Sequence, residues 1–177
     1  NTTSRGRTVR FNHTGDLFKT IERIGLMPLP PYIGRETVED DREYYQTIFA
    51  KTNGSVAAPT AGLHFTKKLI ARLERKGVRV ARITLHINRS TFDPVEVEDL
   101  TKHKMHSEFF EITPAAAETI NKTIKGKGKV FAVGASVVRA LESSVLTSGT
   151  VKPNRNWTDK FIYPPYDFKI VNRLITN

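Results

Sequence analysis

At 177 residues the chain is long enough for one domain or slightly more, and a hydrophobic share of 38% supports a packed core and argues against global disorder. Lys and Arg number 28 against 18 Asp and Glu, a net +10 that suits a polyanionic partner such as nucleic acid, although no dense basic tail is present. The absence of cysteine excludes disulfides, thiolate nucleophiles, zinc ribbons and iron–sulfur clusters, and no apolar run is long enough for a membrane-spanning helix.

Taken in chain order, Gly6–Phe11 alternates and reads as a strand. Gly15–Gly25 carries Leu17, Phe18, Ile21 and Ile24 at helical spacing and stops on glycine. The prolines of Met27–Ile33 forbid a helix there. Val38–Lys51 reads as a helix with acids in its first turn, where the helix dipole favours them. Thr66–Gly77 is a helix with Thr66 as N-cap, a stripe of Leu69, Ile70 and Leu73, and Gly77 as its stop. Strands are expected at Val78–Ile87 and Glu108–Thr113. A helix starts at Thr113-Pro114 and runs to about Lys125. Lys127–Gly134 reads as a buried strand feeding a helix over Ser136–Leu146. Thr147–Trp157 is polar and linker-like, and two extended segments follow it. This alternation predicts an α/β fold, a layered α/β/α sheet with helices on both faces. Residues 1–14 are expected to be the end of a β-rich, barrel-like domain, and 15–177 an α/β catalytic domain. The start without Met and the strand-like finish "VNRLITN" suggest a piece of a longer protein. No signal peptide is visible, a cytoplasmic location is expected, and the six Asn-x-Ser/Thr triplets are read as chance.

Four motifs and a set of basic stretches could carry chemistry. "SVAAPTAGLHFT" (Ser55–Thr66) is a small-residue turn leading into a helix. Such a turn lets backbone amides approach a ligand, with Thr60 and His64 as its polar side chains and Gly62 in the bend. On spacing alone the same residues better suit tight helix–sheet packing around an interior histidine. His86 stands at the C-terminal end of a predicted strand, where open α/β sheets place ligands and a histidine can move protons near neutral pH; holding a turn is the competing role. In "HKMHSE", His103 and His106 have metal-like spacing without a third ligand, so a metal is not expected; His106 and Glu108 are a candidate base and its partner. "VFAVGASVVRALES" runs from strand through Gly134 to a helix start at Ser136, an anion or carboxylate site without the three-glycine dinucleotide spacing. Arg139 and Glu142 on adjacent turns suit an ordinary helix-face ion pair. The basic stretches Arg72–Arg82 and Lys125–Lys129 suit phosphates or simple solvation.

In this order, "PLPPYIGR", "YYQTIFA", "GSVAAPTAGLHFT", "TLH", "STFDPV", "HKMHSE", "AVG" with "VVRALES", and "WTDKFIYPPYDFK…LITN" resemble the S-adenosylmethionine:tRNA ribosyltransferase-isomerases of queuosine biosynthesis. The resemblance covers nearly the whole chain and implies proteins about twice its length. It implies transfer and isomerisation of the ribosyl group of S-adenosylmethionine onto 7-aminomethyl-7-deazaguanine at the tRNA wobble position. Epoxyqueuosine is the product, and adenine and methionine leave. On this reading S-adenosylmethionine is a co-substrate, no metal is needed, the tRNA anticodon loop is the partner and a monomer is expected. His64 and His86 become first-rank proton movers and His106 a third. Thr60, Gly62, Gly134 and Ser136 would cradle the nucleoside or its carboxylate. Arg35, Arg139, Glu142, Thr91 and Asp159 would bind polar groups of the substrates. The chain departs from the family pattern at Asn88 and Ser90, where glycines are usual, and at Ala135–Val137, where the hydroxyl pattern changes. These departures fit a second reading, a paralogue that binds tRNA or nucleoside without turnover. A conventional methyltransferase is the third reading.

Overall fold

The computed structural model describes residues 2–3, 6–7, 9–88 and 97–177. β1 (Thr2–Thr3) pairs antiparallel with β2 (Gly6–Arg7), so pairing stops well short of the strand end expected at Phe11. α1 (Leu17–Ile24) begins where the Asp16 carboxylate accepts the Phe18 and Lys19 amides at 2.9 and 3.3 Å, and it ends at Gly25. Its spacing is helical, yet Phe18 and Ile24 stay exposed. The helix expected over Val38–Lys51 shrinks to α2 (Asp41–Tyr44). Side chains compete for its backbone amides: Gln46 Oε1 accepts from Thr47 N at 2.9 Å and Thr47 Oγ1 from Phe49 N at 3.3 Å.

α3 (Lys67–Arg75) is capped by Thr66, whose hydroxyl accepts the Leu69 amide at 3.1 Å. β3 (Thr84–His86) is shorter than the Val78–Ile87 run that predicts it. β4 (Glu108–Ile112) and α4 (Pro114–Lys125) fall where the sequence puts them, with Thr113 capping and Pro114 in the first turn. β5 (Phe131–Val133) leads through Gly134 into α5 (Ala135–Glu142). The stretch read as a linker instead contains β6 (Asn154–Thr158), and β7 (Arg173–Ile175) follows. Its polar residues mislead because most of this strand is exposed: only Thr158 is buried, while Trp157 is 59% exposed.

The fold is mixed α/β, as the alternation predicts. β3, β4 and β6 form an antiparallel sheet in the order β3-β4-β6, and β5 pairs in parallel with β7. Register places Leu85, Phe110 and Asn156 in one row, and His86, Phe109 and Trp157 in the next. Strand alternation sends neighbouring rows to opposite faces. The inner face holds the core, in which Phe110 and Ile112 meet Ala116, Ala117 and Ile120 of α4 and Val138 and Leu141 of α5. Asn121 of α4 ties down the approach to β6: its amide donates to Val151 O and its carbonyl accepts Val151 N, both at 2.8 Å.

Phe110 is 1% exposed at the centre of this cluster. Phe110→Ala is expected to cost about 3–5 kcal/mol, the usual range for deleting a buried aromatic, read from the midpoint shift in denaturant melts.

Candidate functional site

Ser55–His64 wraps the free edge of β3. The Ile87 amide donates to Ser55 Oγ at 2.7 Å, while the Val56 and Ala57 amides donate to Ile87 O at 2.9 and 3.2 Å. From there Thr60–His64 forms a 3-10 turn. Ala57–Ala61 line one wall of a cavity of about 130 Å³, whose other walls are Leu85 and Ile87, Val133–Val137, and Thr176 with Asn177. Two motifs far apart in sequence, the small-residue turn and the start of α5, therefore face one space.

The chemistry of that space is mainly backbone. Gly134 enters α5 with φ of +98° and no side chain caps the helix start. The Val137 amide donates to Gly134 O at 3.1 Å, which leaves the Ala135 and Ser136 amides without a helical acceptor, and Ser136 adds a hydroxyl beside them. Such a wall favours an anionic or carboxylate group. Thr60 lines the cavity too. His64 is exposed at the end of the turn, and its Nε2 lies 3.2 Å from Oδ1 of the cavity residue Asn177. Gly62 is buried against Thr47 rather than facing the cavity; a Cβ there would sit 3.1 Å from Thr47 Cγ2.

The three expected histidines are not gathered. His86 belongs to the outer row of the sheet, with its ring 5.1 Å from that of Phe109. Gly54, at φ +143°, lies on that ring: an added Cβ would come within 2.4 Å of His86 Nδ1. That nitrogen is shielded from solvent and has no hydrogen-bond partner among the described residues. The stretch from Gly54 to Ala61 thus touches His86 through Gly54 on one face and lines the cavity through Ala57–Ala61 on the other. His106 precedes β4, and its carbonyl oxygen accepts from Arg139. Among the described residues no group of three or more His, Cys, Asp or Glu is placed to hold a metal ion.

The charged candidates are already engaged. Arg139 is buried, and its expected pairing with Glu142 does not form. Nη1 instead donates to Glu108 Oε2 at 2.6 Å, Nε to Lys160 O at 2.8 Å, and Nη2 to His106 O at 2.9 Å and Thr158 O at 3.0 Å. Burial pushes the guanidinium down from its ordinary value, opposed by the charges of Glu108 and Asp159. Exposed Asp159 is thus in electrical reach of Arg139. Buried Glu142 accepts the amides of Lys169, Ile170 and Val171 at 3.0–3.1 Å. Arg35 grips Asp41 with both terminal nitrogens at 2.6 and 2.7 Å. Those hydrogen bonds, and one from the Val38 amide, hold the Asp41 carboxyl at about 2. Arg35 also borders an open depression of about 500 Å³ on the proline-rich stretch, but no α-helix start or histidine lines it. Thr91 lies outside the described residues.

Some of this was readable beforehand. Alternation in β4 puts Glu108 on the face of Phe110 and Ile112, and a buried carboxylate needs a partner; which of many basic residues supplies it was not legible. The contributions of Leu85, Ile87, Thr176 and Asn177 to the cavity had no sequence signal.

Comparison with known proteins decides the affiliation. The family model described as queuosine biosynthesis protein matches residues 1–177. The chain belongs to this family. S-adenosylmethionine:tRNA ribosyltransferase-isomerases from Chloroherpeton thalassium and Cytophaga hutchinsonii are 53% and 55% identical to it, over all of this chain and 52% of their own length. The chain therefore spans about half the length of the curated relatives it matches. A crystal structure of the S-adenosylmethionine tRNA ribosyltransferase from Thermotoga maritima is 32% identical, with a TM-score of 0.48 over 66% of this chain and 35% of that one.

Two outcomes test this geometry. Removing the charge with Glu108→Gln leaves buried Arg139 uncompensated and is expected to cost about 3–5 kcal/mol in denaturant melts, whereas exposed pairs such as Lys122–Glu118 shift stability by less than about 1 kcal/mol. Because the folded Asp41 carboxyl titrates at about 2, below an ordinary aspartate, its contribution is full above about pH 4 and is lost as pH falls through 2. Thermal melts of Asp41→Asn are expected to show lower stability at pH 7 and a flatter acid limb between pH 4 and 2.

Proposed function

We propose that this chain provides part of the active site of an S-adenosylmethionine:tRNA ribosyltransferase-isomerase, with residues 15–177 as its α/β catalytic part. The reaction moves and isomerises the ribosyl group of S-adenosylmethionine onto 7-aminomethyl-7-deazaguanine in the anticodon wobble position, giving epoxyqueuosine-tRNA, adenine and methionine. The observation that carries this reading is the convergence of the Ala57–Ala61 turn and the uncapped start of α5 on one cavity. Both come from motifs by which the chain resembles the family, and the names of its relatives support the reading.

The cavity, at about 130 Å³, is smaller than the ~300–1,000 Å³ usual for a ligand site, so it takes one end of a nucleoside-sized co-substrate. The α5 amides and Ser136 suit a carboxylate, and Thr60 supplies a hydrogen bond at the opposite wall. His64, tied to Asn177 at the cavity, is our first choice for proton transfer. His86 is the second, reached around the strand edge by the segment that carries Gly54. His106 is the third. Arg139 and Glu142 act as positioning residues, since their polar atoms already hold His106, Thr158 and the 169–171 backbone. Basic side chains from the +10 chain supply salt-dependent affinity for tRNA. A monomeric, cytoplasmic protein without a metal completes the proposal.

The test uses the intact protein with S-adenosylmethionine and tRNA bearing 7-aminomethyl-7-deazaguanine. Free adenine together with the matching mass gain on the tRNA nucleoside is expected. His64→Ala and His86→Ala are each expected to lower turnover by about 10²–10⁴-fold while the fold, read by circular dichroism, persists. Tight tRNA binding with no adenine release would instead favour the non-catalytic paralogue suggested by Asn88 and Ser90.

A further inference from the structure

The outer face of the β3-β4-β6 sheet has no role so far, apart from His86. Cross-strand register lines up His86, Phe109 and Trp157 in one row. The rings touch in sequence: His86 to Phe109 at 5.1 Å, and Phe109 to Trp157 at 5.8 Å with planes at 70°. Edge-to-face contact leaves the Trp157 ring supported from the side, and the residue is 59% exposed. It is the only tryptophan of the chain. Two residues before Trp157 and on the same face, Arg155 places its guanidinium 5.7 Å from the Phe109 ring centre, with Glu111 opposite it in register. A large exposed aromatic, braced by a second ring and flanked by an arginine, is not what a solvent-facing strand needs for solubility.

We infer that this row is a stacking surface for an unpaired RNA base, with Trp157 as the platform and Arg155 meeting the adjoining phosphate. Sheet-borne aromatics recognise single-stranded RNA in this way because every base presents a π-face and loop bases are already free of a duplex. The chain's +10 charge favours a polyanion over an acidic-avoiding apolar partner. The inference rests on the tRNA-acting reading and adds the place where a loop base docks. The row ends at His86, so a base stacked on Trp157 lies along the sheet from a candidate proton mover.

The experiment measures binding of the intact protein to an anticodon stem-loop RNA and to a blunt duplex of equal length, with tRNA-dependent adenine release followed in parallel. Trp157→Ala is expected to weaken stem-loop binding roughly 5- to 100-fold, the range of one lost base–aromatic stack. The slope of affinity against salt should stay unchanged for that variant, while Arg155→Ala should reduce it by about one phosphate contact. Trp157→Phe keeps an aromatic face and should bind within a few-fold of wild type. Stem-loop RNA should also quench the emission that wild type has and Trp157→Phe lacks, and this measurement needs no alanine variant to fold. Adenine release and RNA binding with no loss in Trp157→Ala and no quenching overturn the inference and leave the proposed function standing. The same holds if acrylamide fails to reach Trp157 in the intact protein, which would mean that other parts of the protein cover the row. A wild type that neither binds the RNA nor releases adenine overturns both.

Discussion

The contact between Arg139 and Glu108 fixes the relation between α5 and the antiparallel sheet. An arginine buried in a helix facing a strand is tolerable only if its charge and its donors are matched. Here one carboxylate supplies the charge and three backbone carbonyls, from His106, Thr158 and Lys160, take the remaining bonds. Because those carbonyls come from the loop before β4, the end of β6 and the turn after it, a single side chain ties two loops and a strand end to one helix. Glu142, one turn further along α5, does the complementary work by accepting three successive amides of the 169–171 segment. α5 is thereby tied on both sides, with its N-terminus at the cavity.

Around that helix the stretch from Gly54 to His64 acts as a strap over the sheet edge. Its hydrogen bonds to Ile87 satisfy an edge strand that would otherwise present unpaired backbone. The small residues are explained by what they touch. Gly54 lies against the His86 ring at a distance no Cβ could keep, Gly62 packs on Thr47, and Ala57–Ala61 leave room for the cavity. One short segment therefore contacts both faces of β3, which gives the two histidines nearest to it, His64 and His86, a shared mechanical support although they stand on different faces.

Legibility in the sequence followed the range of the interactions. α1, α3, α4 and β4 were readable because caps, proline at the first turn and strand alternation act within a few residues. α2 was overestimated because Gln46 and Thr47 spend their side chains on nearby amides, and β6 was missed because a half-exposed strand is allowed to be polar. Of the candidate site, the small-residue turn, Gly134 and Ser136 were legible as a pair of backbone-rich motifs. Their meeting at one cavity was not.

The sequence by itself determined the α/β class, the ends of the well-capped helices, the positive charge and the family affiliation, since each of these is carried by local pattern or by the order of motifs. Tertiary structure alone decided that Arg139 answers Glu108 rather than Glu142, that Arg35 is committed to Asp41, and that His64 and His86 occupy different faces of one strand edge. Partner choice for a buried charge depends on which distant residues the packed core brings within about 3 Å. Strand register, which shifts every side chain to the other face when it slips by one residue, then decides which side His86 serves.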